Sequence, residues 1–117
     1  VSRIRNSVTV SVTGRPARVG GGVLAAAKDG KVYFRDAATG EHQATYETQG
    51  AIVGGIAVSG PLILFASEDQ FVYAFDVAAR TLAWRYRAKG RIRTPPVVGG
   101  GRVYFVAGDD LYAIELN

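Results

Sequence analysis

Residues 62–87 read LILFASEDQFVYAFDVAARTLAWRYR. Three runs stand out: Leu62–Ala66, Phe71–Asp76 and Leu82–Arg87. Each is rich in aliphatic, β-branched and aromatic residues, and the short segments Ser67–Gln70 and Val77–Arg80 separate them. Such runs bounded by turn residues are short antiparallel strands joined by tight connections. A further strand is expected near Ile56–Val58, closed by the turn Ser59-Gly60-Pro61. Within Leu82–Arg87, Trp84 and Tyr86 alternate with Arg85 and Arg87. A strand sends alternate side chains to opposite faces. The aromatics are therefore expected to point inward, with Trp84 largely buried, and the arginines to point to solvent.

The same unit recurs. Residues 11–50 laid over 51–90 without a gap match at 12 of 40 positions. The matches include Leu24/Leu64, Asp29/Asp69, Tyr33/Tyr73, Asp36/Asp76 and Tyr46/Tyr86. A third copy begins at Arg91 and needs one deletion; it keeps Val98, Phe105, Asp109, Tyr112 and Ala113, and carries Glu115 where the others have Asp. Ala25–Ala27 and Ala37-Ala38 are locally good helix formers. They align with Phe65-Ala66-Ser67 and Val77-Ala78, so they read as strand and turn. Four antiparallel strands per forty residues make the blade of a β-propeller. The expected fold is thus all-β, with about three four-stranded antiparallel blades over residues 13–50, 51–90 and 91–117, plus an N-terminal strand over 3–12. With strands A to D counted outward from the channel, the chain runs D-ABC-D-ABC-D-ABC. That phase suits a ring closed by strand sharing. Three blades fall short of the four to eight of a closed ring. The apolar blade faces, with Val23, Val32, Val103, Phe105 and Tyr112, are expected to need cover. The partners implied are other blades, from a longer chain or a homo-oligomer.

Composition excludes several classes. The chain is 48% hydrophobic and 21% charged, with no apolar run long enough for a membrane-spanning helix. The first ten residues carry Arg3 and Arg5 without an apolar stretch behind them, so no signal peptide is expected within them. The chain has no methionine, which points to processing or to a longer parent chain. It has no cysteine, which removes disulfides, thiolate metal sites and a cysteine nucleophile. The net charge is +4, and eleven of the fourteen basic residues are arginine. Such a balance serves solubility and admits anionic partners.

Candidate chemical groups are sparse. Asp29, Asp69, Asp109 and Asp110 fall in the B–C turns, one or two per blade, which is too few oxygen ligands for calcium and is explained by turn chemistry. His42, the sole histidine, is expected in a polar turn beside Glu41, with neither a metal site nor a catalytic partner. Gly20–Gly22 and Gly99–Gly101 each link two strands and lack the helix that a phosphate loop requires. Arg85, Arg87, Lys89, Arg91 and Arg93 share one parity across Gly90 and, with Arg3 and Arg5, form a candidate basic interaction edge. Charge on an edge strand also blocks aggregation. Nucleic acid is not expected as the partner, because no aromatics are interleaved on that face for base stacking. No nucleophile–base pair, metal cluster or cofactor loop emerges, so no catalytic residue and no cofactor are expected.

The segment Ala74-Phe75-Asp76-Val77-Ala78-Ala79-Arg80-Thr81-Leu82-Ala83-Trp84 resembles the tryptophan docking motif of pyrroloquinoline-quinone-type propellers, Ala-x-Asp-x-x-Thr-Gly-x-x-x-Trp. Ala74, Asp76 and Trp84 match, while Ala79 and Arg80 replace Thr and Gly. Blade 1 departs in the complementary way: Asp36, Thr39 and Gly40 match, but Phe34 replaces Ala and Ala44 replaces Trp. The resemblance implies structural roles for Ala74, Asp76, Trp84, Asp36, Thr39 and Gly40, and the repeat adds Tyr46 and Tyr86 to this set. The family includes quinoprotein dehydrogenases, a propeller lipoprotein of the outer-membrane β-barrel assembly machinery, and extracellular sensor domains. The expected function is a non-catalytic scaffold for protein–protein interaction in cell-envelope assembly. The resemblance implies a periplasmic or other extracytoplasmic location, near a membrane. Part of a quinoprotein dehydrogenase and a sensor ectodomain are the alternatives.

Overall fold

The computed structural model describes residues 16–116. Eleven strands lie within them, and all their pairings are antiparallel. The first sheet holds β1 (Ala17–Val19), β2 (Gly22–Ala26), β3 (Lys31–Asp36) and β4 (His42–Glu47) in sequence order. The second holds β5 (Ile52–Ser59), β6 (Leu62–Ser67), β7 (Phe71–Asp76) and β8 (Thr81–Arg87). The third holds β9 (Val97–Gly99), β10 (Arg102–Ala107) and β11 (Asp110–Glu115). These are three successive propeller blades, each an up-and-down meander. The N-terminal strand expected over residues 3–12, with Arg3 and Arg5, lies outside the described residues.

Alternation along the strands assigns the faces. In blade 2, Ile63, Phe65, Tyr73 and Phe75 turn toward blade 1 and join Leu24, Ala26, Val32 and Phe34 in one buried cluster. The intervening Ala66 and Val72 turn toward blade 3 and meet Phe105 and Ala107. Leu64 and Ala74 do the same and meet Val103. A blade covered on both faces has a continuously apolar inner strand, which is why LILFAS shows no polar alternation. Val32, Val103 and Phe105, expected on uncovered faces, are in fact buried. Their parity turns them toward blade 2. The uncovered positions on blade 3 are the alternate ones: Val97 is 62% and Leu111 71% exposed, and Tyr104 and Val106 are half-buried.

The C–D turns explain two of the motif positions. Asp36 Oδ1 accepts the backbone N–H groups of Ala38 (2.8 Å) and Thr39 (2.9 Å), and Asp76 Oδ1 those of Ala78 and Ala79 (3.0 Å each). The Thr39 and Ala38 donors hold the Asp36 carboxyl below its usual range. The residue that closes each turn has positive φ: Gly40 at 77° and Arg80 at 59°. Glycine takes that conformation without strain, and arginine does not.

Candidate functional site

The joints between blades carry the most organised chemistry in the chain. At the first joint Tyr46 packs against Phe65 and Tyr73, with ring centroids 5.9 Å away in each case, and those two rings stack at 5.4 Å. The second joint repeats this. Tyr86 meets Phe105 at 6.5 Å and Tyr112 at 6.0 Å, and the pair stacks at 4.9 Å. One strand D thus presents a tyrosine to an aromatic stack on the next blade. The geometry is the edge-to-face arrangement that aromatic quadrupoles favour.

The connections into the next blade are fastened differently at the two joints. At the first, Asp69 Oδ2 accepts the Tyr73 hydroxyl and the Gln49 N–H (3.1 Å). At the second, the one-residue deletion displaces the aspartate, and the Tyr112 hydroxyl itself accepts the Lys89 N–H at 3.1 Å. A polar latch also marks the first joint. The fully buried Ser67 donates to the Gly50 carbonyl at 3.0 Å, and the Thr48 hydroxyl lies 2.7 Å from the same carbonyl and 3.1 Å from Ser67 Oγ. At the second joint Ala88 and Ala107 stand in these positions and pack dry. The sequence places Ser67 at the start of a polar turn. It ends β6 instead, and burial makes its hydroxyl obligatory as a donor.

Burial, then the hydrogen bond to Asp69 and that group's charge, push the Tyr73 phenol well above its ordinary value of 10.0. Burial likewise raises Tyr46, and the Asp29 hydrogen bond raises Tyr33. A folded-state pKa above the unfolded one means the stabilising effect is intact below pH 10 and lost as pH rises beyond it. On alkaline titration the Tyr73 phenolate absorbance is expected only together with unfolding. Reversible ionisation of every tyrosine near pH 10 with the sheet intact would contradict this.

The two aromatics of strand D are covered to different extents. Trp84 is only partly exposed, in keeping with the inward face expected for it but short of full burial, and Tyr86 is more open, at 39% exposed. Both lie on the outermost strand, where blade 3 covers one flank and solvent meets the other. Trp84 nevertheless joins the cluster of Leu64, Ala74 and Val103, with Ile114 and Leu116 of blade 3 alongside. Ala74 is its cross-strand partner. His42 opens β4 instead of lying in the turn, and its Nε2 is 2.9 Å from Thr45 Oγ1.

Arg85, Arg87, Lys89, Arg91 and Arg93 are all exposed. Arg85 lies over the Phe71 ring, 4.6 Å from its centroid, and Arg91 pairs with Glu68 at 3.5 Å. Arg87, Lys89 and Arg93 make no ion pair among the described residues. The edge strand of blade 2 and the connection after it therefore carry free positive charge.

The chain matches the family model for the outer membrane protein assembly factor BamB twice, over residues 2–81 and 28–117. It is 32% identical over 94 residues to the outer membrane protein assembly factor BamB of Bordetella pertussis, a match that covers 80% of this chain and 24% of that protein. The chain thus spans about a quarter of the length of this curated relative. The solved structure of BamB from Moraxella catarrhalis superposes with a TM-score of 0.76 at 17% identity, over 95% of this chain and 35% of that one. Quinohemoprotein alcohol dehydrogenase ADHIIG from Pseudomonas putida HK5 superposes with a TM-score of 0.79 at 20% identity, over 95% and 20% respectively. At these identities the structural likeness establishes the propeller fold. The twofold family match, the forty-residue repeat and the docking-motif residues agree, and the chain belongs to the BamB family of propeller repeats.

Proposed function

We propose that this segment is a non-catalytic propeller scaffold that binds proteins during assembly of the cell envelope, outside the cytoplasm. The family match along the whole chain carries this reading. Arg87, Lys89 and Arg93, exposed and unpaired among the described residues, support it, because a cationic edge steers and orients an acidic partner surface. Each aspartate of the B–C turns in blades 1 and 2 is committed to its own tyrosine hydroxyl and backbone N–H, which leaves little to hold a cation.

The test is binding to the purified outer-membrane assembly machinery. The protein is expected to associate in a salt-sensitive way, and Arg87→Glu with Lys89→Glu to weaken association at least about tenfold, with an unchanged melting temperature. Absence of association, combined with tight uptake of pyrroloquinoline quinone and calcium, would replace the scaffold by the dehydrogenase reading.

A further inference from the structure

Blades 1 and 2 differ at two positions that face each other. Ala74 pairs with Trp84 across the β7–β8 ladder, and the equivalent pair across β3–β4 is Phe34 and Ala44. The bulky member has moved from the outer strand to the inner one. The two arrangements do not fill the same space. Phe34 is buried, with its ring 5.3 Å from that of Phe75. The ground beyond Ala44, which an indole covers at the second joint, lies open. A pocket of about 700 Å³ sits there between blades 1 and 2, with Ala44, Tyr46, Phe75, Val77 and Leu82 among its walls. Phe75 and Val77 hold the repeat positions of Ile114 and Leu116, the blade-3 residues in the cluster that Trp84 joins.

We propose that this pocket binds the indole of a tryptophan in a partner polypeptide, with a carboxylate next to it in that partner. The second joint shows the side chain that fits this blade geometry. The carboxylate follows from Arg80, which lines the pocket, is exposed and makes no ion pair among the described residues. Asp36 also lines it, but its carboxylate accepts two N–H groups of its own turn. The occupant is not among these 117 residues: Trp84 is their sole tryptophan and is already seated, and residues 1–15 contain no aromatic. This deepens the protein-binding reading above. The pocket and the basic edge use different residues, so either can fail while the other stands.

N-acetyltryptophan, N-acetyltryptophanamide and free tryptophan are the probes, titrated into the full chain and followed by NMR at Ala44, Val77 and Leu82. N-acetyltryptophan is expected to bind with a dissociation constant of roughly 1 mM or below, and the amide severalfold more weakly. Ala44→Trp is expected to abolish binding with the fold retained. Ala44→Leu, a smaller filler, is expected to weaken it about tenfold. Arg80→Ala is expected to erase the preference for the acid over the amide. No binding at about 10 mM would overturn the proposal. So would binding that survives Ala44→Trp, or tighter binding of free tryptophan, whose α-ammonium a tryptophan within a polypeptide lacks.

Discussion

Phe65→Ala is expected to lower the stability of the chain by about 3–5 kcal/mol, the range for emptying a core aromatic site. Phe65 has no exposed surface, stacks on Tyr73 at 5.4 Å and takes the edge of Tyr46 at 5.9 Å. It lies on β6 of blade 2, which among the described residues has a neighbouring blade on each side. Removal of its ring leaves a cavity between blades 1 and 2 that neither rigid sheet can collapse to fill. Urea unfolding followed by circular dichroism measures the loss. A change below about 1 kcal/mol, the size of an ordinary surface effect, would mean the blades do not pack as described. Trp84→Ala is expected to cost less than Phe65→Ala, because solvent already meets one flank of the indole.

Gly30→Ala is the second large effect. Gly30 sits in the B–C turn with φ of 85°, and its carbonyl accepts the Thr48 N–H at 2.7 Å. A Cβ there would stand 2.6 Å from the Gly50 carbonyl oxygen, which is backbone and cannot swing aside. Left-handed strain of about 1–2 kcal/mol adds to an overpacking cost of about 1–3 kcal/mol. The variant is expected to lose about 2–5 kcal/mol and to loosen the first joint, where Thr48 and Ser67 meet the Gly50 carbonyl. A melting temperature equal to that of the parent would refute this account of the joint.

The sequence made the strands and their order legible, because turn residues and the forty-residue period punctuate the chain regularly. Strand parity also made the solvent-facing Arg85 and Arg87 readable. Burial on the outer strands was not readable in the same way. Whether Trp84 and Tyr86 are covered depends on what lies beside strand D, which parity does not encode. The same limit applied to Val32, Val103 and Phe105: alternation says which residues share a face, but not which face meets a neighbour. The Phe34/Ala44 exchange was visible as two mismatches to the docking motif. Its consequence needed the register, which pairs those residues across one ladder and leaves space beyond Ala44. Ser67 was missed because a serine before Glu-Asp looks like a turn residue. Only its burial at the joint reveals a hydroxyl latch.

Repeat blades need neighbours on their apolar faces, and blade 3 presents such a face. Leu64, Ala66, Val72 and Ala74 of blade 2 are fully buried against blade 3. Their equivalents in blade 3 are Tyr104, Val106, Leu111 and Ala113, which range from half-buried to exposed. Apolar faces of that kind are rare on free monomers, and repeat units bury them against neighbours. Light scattering on the 117 residues tests this directly. Concentration-dependent self-association, or binding of a hydrophobic dye, is expected, and Leu111→Lys is expected to reduce it. A monodisperse monomer at micromolar concentration that binds no dye would contradict it.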